Sequence, residues 1–397
     1  MKKIENGFQT ECIWGKYNPH VYHGSMSPPI YQSSLFALKD YDTCLQALWE
    51  HQHYFYSRIN NPTHDVLEAQ VAHLEGGEMA LAFSSGCAAI SSVIFSCLKK
   101  GDHVIAPYYV YGETYRLLAG YLPRFGITTT FIEGTDLNQY KKSLRPKTRL
   151  IYLESPSSGY FYLQPIEEIT ALARRHKITT VIDNSLATPY NQQPFKMGVD
   201  FVLHSMSKYI GGHSDIVAGI LVGRAKEMRK IRMEEREIFG GALAPFDTWL
   251  ALRGLRTLGV RMQSINSAGL AIAGFLEKHS KVKRVYYPGL PSHPHYQLAI
   301  KQMSGFSGLI TIELKNRSLK SVKRFLNSIK IFKLAVSWGG FDSLALPILP
   351  LPGKFLFGKI TKTDRLRQFP VGTIRLSIGL ENIEDLMKDL NQALSKV

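Results

Sequence analysis

Short runs of apolar and β-branched residues recur along the first half of the chain and alternate with amphipathic stretches. These runs lie at 103–106, 127–132, 150–153, 179–182, 201–203 and 219–222, with helical patterns such as 166–176 between several of them. The alternation predicts parallel strands joined by crossover helices, and the nearly continuous apolar strands indicate helices on both faces of the sheet. Residues 79–98 carry no charge, but serines dilute their apolarity, so a buried strand, loop and helix are predicted rather than a membrane span.

Beyond position 245 the pattern changes to a long helical stretch. From Asp247 to about His279, large apolar side chains recur every three or four residues, and an unbroken helix of this span would measure roughly 50 Å, enough to enter a second domain. The remainder predicts a smaller α+β domain. Its strands are expected near 308–314 and 373–378, and its closing helix at 383–394, after a Pro/Gly-rich connection at 346–358.

The start of the chain has a different character. The first 60 residues are rich in Tyr, His and Pro with little periodicity, which indicates an arm that packs on something else. A helix is predicted to begin after Asn60, Asn61 and Pro62, with Thr63 as its cap. Since 397 residues exceed one simple core, we expect an arm at 1–60, a main domain at 61–255 and a C-terminal domain at 256–397.

The formal net charge of +16 raises the question of an anionic partner. The basic residues are scattered among acids, as in 224–237, which predicts an exposed helix of mixed charge, so neither nucleic-acid nor membrane binding is expected. Four cysteines without a CxxC pair fit reduced thiols in a cytoplasm. No apolar segment follows the basic residues at the start, so no secretory signal is expected.

One lysine, Lys208, stands where the apolar run at 201–203 gives way to a Gly-Gly turn, with Ser205 and Ser207 beside it. An amine presented at the end of a strand and flanked by hydroxyls suits a Schiff base to an aldehyde cofactor that also carries a phosphate. The alternative is a loop lysine that keeps a turn soluble, since most lysines are exposed.

Three other features stand at the ends of predicted strands, where ligands gather in such sheets. The segment Ser84–Cys87 precedes an apolar helix, whose first amides would bind phosphate; an ordinary helix cap is the alternative. Asp183 would bond the ring nitrogen of a pyridine cofactor or cap the following turn. Tyr111 would offer a flat face to an aromatic cofactor, although tyrosines more often pack in cores. Their order along the chain, followed by Lys208, favours one cleft.

Two further spots are candidates for anion binding. Arg375 lies inside an apolar strand, where a guanidinium buried alone is costly, so its partner is expected to be a structural acid or the carboxylate of an amino-acid substrate. Tyr56 and Arg58 would reach a phosphate if the arm folds across a cleft. The P-loop spacing at 353–359 lacks the required Ser or Thr, and two His-X-His segments lack further ligands, so no nucleotide loop and no metal site are expected.

Together these motifs resemble those of the pyridoxal-phosphate (PLP) enzymes of cysteine and methionine metabolism. The matching segments cover nearly the whole chain after residue 20 and read YSRINNPTH, SSGCAAI, YGETYRLL, VIDNS, HSMSKYIGGHSDIVAG, RGLRTLGVR, VSWGGFDSL and TIRLSIGLE. The combination is highly specific. The resemblance implies an α/β protein of the aspartate-aminotransferase type (fold type I), with a mostly parallel seven-stranded sheet in the large domain and a smaller C-terminal α+β domain.

The resemblance also implies roles for individual residues. Lys208 would carry PLP covalently, Asp183 would face the pyridine nitrogen, and Tyr111 would stack on the ring and act near the substrate. The phosphate contacts would be Gly86, Cys87, Ser205 and Ser207 of the same subunit and Tyr56 and Arg58 of a neighbour, in a homotetramer with shared active sites. The substrate contacts would be Arg375 and Ser337 at the carboxylate, with Ser158 and Val336 nearby.

Departures from the family pattern bear on the reaction. Ser158 stands where many members have Asn; this change, the segment LPILPLPGKF and the Ser-Trp-Gly-Gly at 337–340 are similar to bacterial cystathionine β-lyases. Val336 replaces a glutamate common in γ-acting members, yet an apolar residue there also resembles methionine γ-lyases. We expect α,β-elimination of cystathionine to homocysteine, pyruvate and ammonia, in methionine biosynthesis. A γ-elimination or γ-replacement is the alternative, and a basic binding protein without catalysis is a remote one.

Overall fold

The structure is a computed structural model that describes residues 6–50, 53–348 and 369–397. The strands of these ranges are β1 (Met79–Phe83), β2 (His103–Pro107), β3 (Thr128–Ile132), β4 (Thr148–Glu154), β5 (Thr179–Asp183), β6 (Phe201–Ser205), β7 (Gly219–Gly223), β8 (Val282–Tyr286), β9 (Leu309–Leu314), β10 (Lys333–Leu334), β11 (Leu344–Pro347) and β12 (Thr373–Ser377). Each strand predicted in the first half is present, with bounds that differ by at most two residues from the apolar run.

The same ranges contain α-helices at Phe8–Trp14, Tyr41–Leu45, Pro62–Glu75, Gly86–Cys97, Gly112–Arg116, Leu137–Ser143, Ile166–Arg175, Thr188–Asn191, Ala225–Ile231, Glu237–Phe239, Pro245–Arg256, Leu258–Lys278, Tyr296–Gln302, Leu319–Ser328 and Ile383–Leu394. Shorter 3₁₀ or π turns lie at Pro19–Tyr22, Gln46–Glu50, Leu117–Tyr121, Leu122–Phe125, Pro194–Met197 and Arg232–Arg236. Among the described helices, none combines the length and the apolar character that a membrane crossing requires.

Two sheets organise these elements. The larger has seven strands in the order β1–β7–β6–β5–β4–β2–β3, and the smaller has five in the order β10–β11–β12–β9–β8. Strands β3, β2, β4 and β5 run parallel to one another, whereas β7 is antiparallel to both β1 and β6. The expectation of an α/β fold with a mostly parallel seven-stranded sheet and an additional α+β part is confirmed.

The chain forms two compact units. The first unit comprises the described residues of 1–97 and 193–259 and contains β1, β6 and β7; the second comprises those of 98–192 and 260–397 and contains the other strands. In the second unit, the five-stranded sheet and the helices Leu319–Ser328 and Ile383–Leu394 enclose an apolar core that includes Ile312, Phe325 and Leu390. The division into an arm at 1–60 and domains at 61–255 and 256–397 stays a prediction.

The helical pattern from Asp247 to about His279 is present, but it is broken into two helices and does not form one continuous helix. The helix Pro245–Arg256 ends at Thr257, whose φ of −102° and ψ of 4° leave the helical region, and whose amide donates to Gly254 O at 3.1 Å. A second helix, Leu258–Lys278, begins at the next residue. The break was invisible in the sequence because a single non-helical residue hardly disturbs an apolar repeat of three to four residues.

Two other local predictions are corrected. The helix Pro62–Glu75 is capped by Asn61, whose side chain accepts from Thr63 N at 2.8 Å, while Thr63 Oγ1 instead accepts from Tyr31 N at 2.9 Å. The stretch 224–237 is not an exposed helix throughout, because Arg236 is buried in the first unit. The Pro/Gly-rich connection begins inside β11, and its positions 349–358, like the P-loop spacing at 353–359, lie outside the described residues.

Candidate active site

In the first unit, the segments after β1 and β6 come to one edge of the sheet. Both strands are antiparallel to β7, and Phe83 at the end of β1 and Ser205 at the end of β6 are both register partners of Gly219. A side chain at Gly219 would overlap the backbone of Ser85, so only glycine allows this close approach. Gly219 was not predicted from the sequence, although a glycine that opens an apolar strand is a signal for such an approach.

Lys208 lies in a tight turn at this edge. Its amide donates to Ser205 O at 3.2 Å, and its carbonyl accepts from Gly212 N at 2.8 Å. A Cβ on Gly86 would approach Ser205 Cβ to 3.0 Å, so the start of the helix Gly86–Cys97 lies against Ser205. The structure therefore brings Gly86, Ser205 and the half-buried Lys208 together.

The start of this helix fits an anion. The helix has 12 residues, its first turn carries no acid, and Cys87 is exposed at its N-terminus. Helix amides and a neighbouring hydroxyl at Ser205 form a suitable environment for phosphate. The other predicted hydroxyl, at Ser207, accepts from Ala218 N at 3.0 Å and donates to Ala218 O at 3.3 Å, so in this structure it also holds the turn to β7.

Tyr56 and Arg58 form a pair of their own on the arm. The Arg58 guanidinium lies 5.1 Å from the centroid of the Tyr56 ring, a cation–π contact. Tyr56 is held by an antiparallel bridge to Leu35, and Arg58 is exposed. The pair thus lies at an isolated bridge residue and in the turn that directly follows it.

In the second unit, the parallel strands β2, β4 and β5 bring their carboxyl ends to one edge. Asp183 ends β5, and its register partner on β4 is Glu154. Asp183 is buried, and its Oδ1 accepts from Ser185 N at 2.9 Å, so it also caps the turn that follows. A buried carboxylate at the end of a strand is the group that a protonated pyridine nitrogen requires.

Glu154 joins two of the predicted residues. Its Oε2 accepts from Tyr111 N at 2.6 Å, and its Oε1 accepts from Ser158 Oγ at 2.6 Å. The Tyr111 side chain is 42% exposed, which excludes the core-packing alternative and leaves its ring accessible. Glu154 was not predicted from the sequence, although an acid at the end of the apolar run LIYLE is the same signal that indicated Asp183.

Aromatic side chains pack around Ser158. Its amide donates to Tyr109 O at 2.8 Å, and the Tyr109 ring contacts those of Tyr160 and Phe369, with centroids 5.3 and 5.8 Å away. Gly159 has a φ of +84°, and a side chain there would overlap the Phe369 ring. The backbone next to Ser158 is therefore fixed both by its conformation and by this packing.

Arg375 and Ser337 are also brought together. Arg375 Nη2 donates to Ser337 O at 2.7 Å, and Ser337 has a left-handed φ of +78°, which is uncommon for a residue with a side chain. Val336, the residue before it, is 73% exposed. The structure thus brings the guanidinium of β12 to a constrained serine that directly follows an exposed apolar residue in the second unit.

Comparisons with known proteins agree on one family. The model of the Cys/Met metabolism PLP-dependent enzymes matches residues 9–395. Similar curated proteins include L-methionine γ-lyase of Fusobacterium nucleatum (38% identity, 100% of both chains), cystathionine γ-lyase of Bacillus subtilis (39%) and cystathionine β-lyase of Lactococcus lactis (40%); each of the latter two alignments covers 98% of this chain and 99% of the relative. A solved structure of metB from Corynebacterium glutamicum is similar with a TM-score of 0.89, at 36% identity over 98% of both chains.

The residues of each unit fit PLP. The first unit offers a half-buried lysine beside a helix start that is suited to phosphate, and the second offers a buried acid and an accessible aromatic ring. The match over nearly the whole chain excludes the alternative of a basic binding protein without catalysis, because the relatives are PLP-dependent lyases. The chain belongs to the Cys/Met metabolism PLP-dependent enzymes and is a lyase that uses PLP.

Proposed function

We propose that the protein is a cystathionine β-lyase, which cleaves L-cystathionine to homocysteine, pyruvate and ammonia. The observation that carries this proposal is Val336, an exposed apolar side chain directly before the segment in which Arg375 bonds Ser337. A valine can neither donate nor accept a proton. With valine instead of glutamate at position 336, the site therefore has one proton-transferring group fewer. One similar relative, of Lactococcus lactis, is named cystathionine β-lyase.

The proposed roles follow from the positions of the side chains. Bound PLP supplies an aldehyde for attachment and a ring that accepts an electron pair from the substrate. Lys208 holds the cofactor, takes the proton from the substrate Cα and returns it to the leaving sulfur, assisted by the accessible phenol of Tyr111. Arg375 and Ser337 bind the substrate carboxylate, and Ser158 and Val336 lie beside the substrate.

The other proposed contacts hold the cofactor. Asp183 keeps the ring nitrogen protonated, and the helix start at Gly86 and Cys87 binds the phosphate with Ser205 and Ser207.

The number of proton transfers distinguishes the two reaction types. A β-elimination needs one proton from Cα and one for the sulfur, whereas a γ-elimination needs a further proton removed from Cβ. An apolar residue at position 336 supports the shorter route.

A γ-elimination is the second candidate, because relatives at 38% and 39% identity are named L-methionine γ-lyase and cystathionine γ-lyase. We expect the purified PLP-loaded enzyme to release mainly pyruvate from cystathionine, with little methanethiol from methionine. Product quantification by chromatography checks this, and 2-oxobutyrate as the main keto acid would contradict the proposal. Val336→Glu is the matched variant: since position 336 is exposed, it is expected to keep the fold and to raise the 2-oxobutyrate fraction.

We further propose a homotetramer with shared active sites, located in the cytoplasm. The arm carries exposed large apolar side chains that need a protein surface to cover them, namely Ile13, Trp14, Val21, Met26, Ile30, Tyr31, Leu35, Tyr41, Leu45, Leu48, Trp49 and Tyr54. Tyr56 and Arg58 follow this stretch directly, so a partner that covers the arm would receive them at its phosphate site. Light scattering is expected to give the mass of four chains; a monomeric mass would refute the shared site.

A further inference from the structure

We propose that Glu154 is a positioning residue of the active site, which fixes the backbone of Tyr111 and commits the hydroxyl proton of Ser158 to itself. Ser158 then presents lone pairs, and no proton, to the ligand. This inference rests on the site roles proposed above. It concerns a residue that touches neither PLP nor substrate in that proposal and acts through two that do.

The carboxylate of Glu154 is held from several sides. The residue is 7% exposed, and its two oxygens accept from Tyr111 N and Ser158 Oγ, both at 2.6 Å. Its own backbone is fixed by Gln164, whose Oε1 accepts from Glu154 N at 3.0 Å and whose Nε2 donates to Glu154 O at 2.6 Å. Because both the backbone and the carboxylate of Glu154 are held by hydrogen bonds, this residue is suited to fix the positions of Tyr111 and Ser158.

The direction of the Ser158 hydrogen bond follows from the charge of its partner. Donors at both oxygens favour the ionised form of a carboxyl group, and an ionised carboxylate only accepts hydrogen bonds. A serine has one hydroxyl proton, and this proton points to Glu154. What remains for the ligand is the oxygen of Ser158 with its lone pairs, whereas an asparagine at this position would offer two N–H donors.

The hydrogen bond from Tyr111 N to Glu154 fixes the backbone from which the Tyr111 ring extends. Tyr111 precedes the helix Gly112–Arg116, which has only five residues, and no side chain caps that helix from Tyr111 itself. The bond to Glu154 therefore ties the start of this short helix to the end of β4. Loss of the bond would let the segment shift, and a ring that is to stack on a cofactor would shift with it.

The alternative is that Glu154 only stabilises the fold, as many buried carboxylates do. Asp389 provides a matched control in the same unit, since its buried carboxylate accepts from Lys330 N, Ile331 N and Phe332 N at 2.8 to 3.2 Å. Asp389→Asn is expected to lower stability without any effect on the cofactor. A purely structural role for Glu154 predicts the same outcome for Glu154→Gln.

The experiment compares the PLP-loaded wild type with Glu154→Gln, Ser158→Ala, the double variant and Asp389→Asn. The readouts are the circular dichroism of the cofactor's visible band, the PLP dissociation constant and kcat. In Glu154→Gln the amide N–H replaces one acceptor, so the Ser158 proton turns towards the ligand. We expect a changed dichroism, a PLP dissociation constant raised about tenfold and a kcat lowered about tenfold or more, as befits the loss of a charge-assisted hydrogen bond.

The double variant separates the two arms of the proposal. If Glu154 acts through Ser158, then Glu154→Gln has a smaller effect in the Ser158→Ala background than alone, and the residual effect reports on Tyr111. Equal effects in both backgrounds would overturn the Ser158 arm. Unchanged dichroism and PLP affinity in Glu154→Gln would overturn the whole inference, and should that variant not fold, unchanged dichroism in Ser158→Ala would do so. A wild type that forms no visible PLP band would instead refute the proposed site.

Discussion

Replacement of Lys208 by alanine is expected to abolish the absorption band of the PLP-loaded enzyme at about 420 nm. The rate of elimination is expected to fall by about 1000-fold or more. The lysine is held in a turn by bonds to Ser205 O and Gly212 N, so its side chain leaves a fixed backbone. Alanine keeps this turn, because both bonds use main-chain atoms. The variant therefore loses the amine and not the architecture.

Absorption spectra after dialysis against PLP, together with keto-acid release from cystathionine, check this prediction. Lys226→Ala is the control, since Lys226 is an exposed lysine of the same unit and its loss is expected to leave spectrum and rate unchanged. A Lys208→Ala protein that kept the band would show that another amine carries PLP.

Replacement of Arg236 by methionine is expected to lower the free energy of unfolding by about 3 to 5 kcal/mol. Arg236 is 1% exposed, and its Nη1 lies 3.2 Å from Oε1 of Glu68, which is 4% exposed. That Glu68 oxygen also accepts from Ala82 N at 2.8 Å, next to the end of β1. Without Arg236, the buried Glu68 carboxylate loses a cation that balances its charge. This loss is expected to lower the free energy of unfolding more than the change in side-chain packing does.

The pH dependence of this effect has a definite sign. Burial raises the pKa of Glu68, but Arg236 and Arg232 outweigh it, so the folded-state pKa lies below the ordinary value. The stabilisation is fully present above the unfolded-state pKa of about 4.3 and is lost as the pH falls through the lower folded-state value. The difference between wild type and Arg236→Met is therefore expected to be largest near neutral pH and to shrink in acid.

Urea denaturation at several pH values measures both effects. The control is Lys230→Ala, because Lys230 Nζ lies 3.8 Å from Glu234 Oε2 in an exposed pair, and such pairs contribute about 1 kcal/mol or less. An Arg236→Met loss no larger than that of the control would contradict the view that the buried pair is essential to the first unit.

The class of fold could be predicted from the sequence, and so could most of the residues of the proposed site. Apolar runs in parallel strands are continuous because both faces of the sheet are covered, so the strands of the larger sheet were visible without any structure. Lys208 and Asp183 were visible for a related reason: a charged residue at the end of an apolar strand, or in the turn directly after it, interrupts the pattern at the edge where ligands gather in such sheets. The resemblance of the chain's motifs to those of a known family then indicated the cofactor.

The contacts that support these residues are visible in the three-dimensional structure alone. Gly219 is required by the approach of Ser85 from a segment far away in sequence, and Glu154 gains its importance from Tyr111 and Ser158, which lie on different loops. In the sequence, Arg236 belongs to a stretch of mixed charge that predicted an exposed helix. In the structure it is buried beside Glu68, which lies 168 positions earlier in the chain. Contacts between distant segments do not produce a periodic pattern of apolar and polar residues. They depend on which segments meet in the fold and not on the neighbouring residues in the chain.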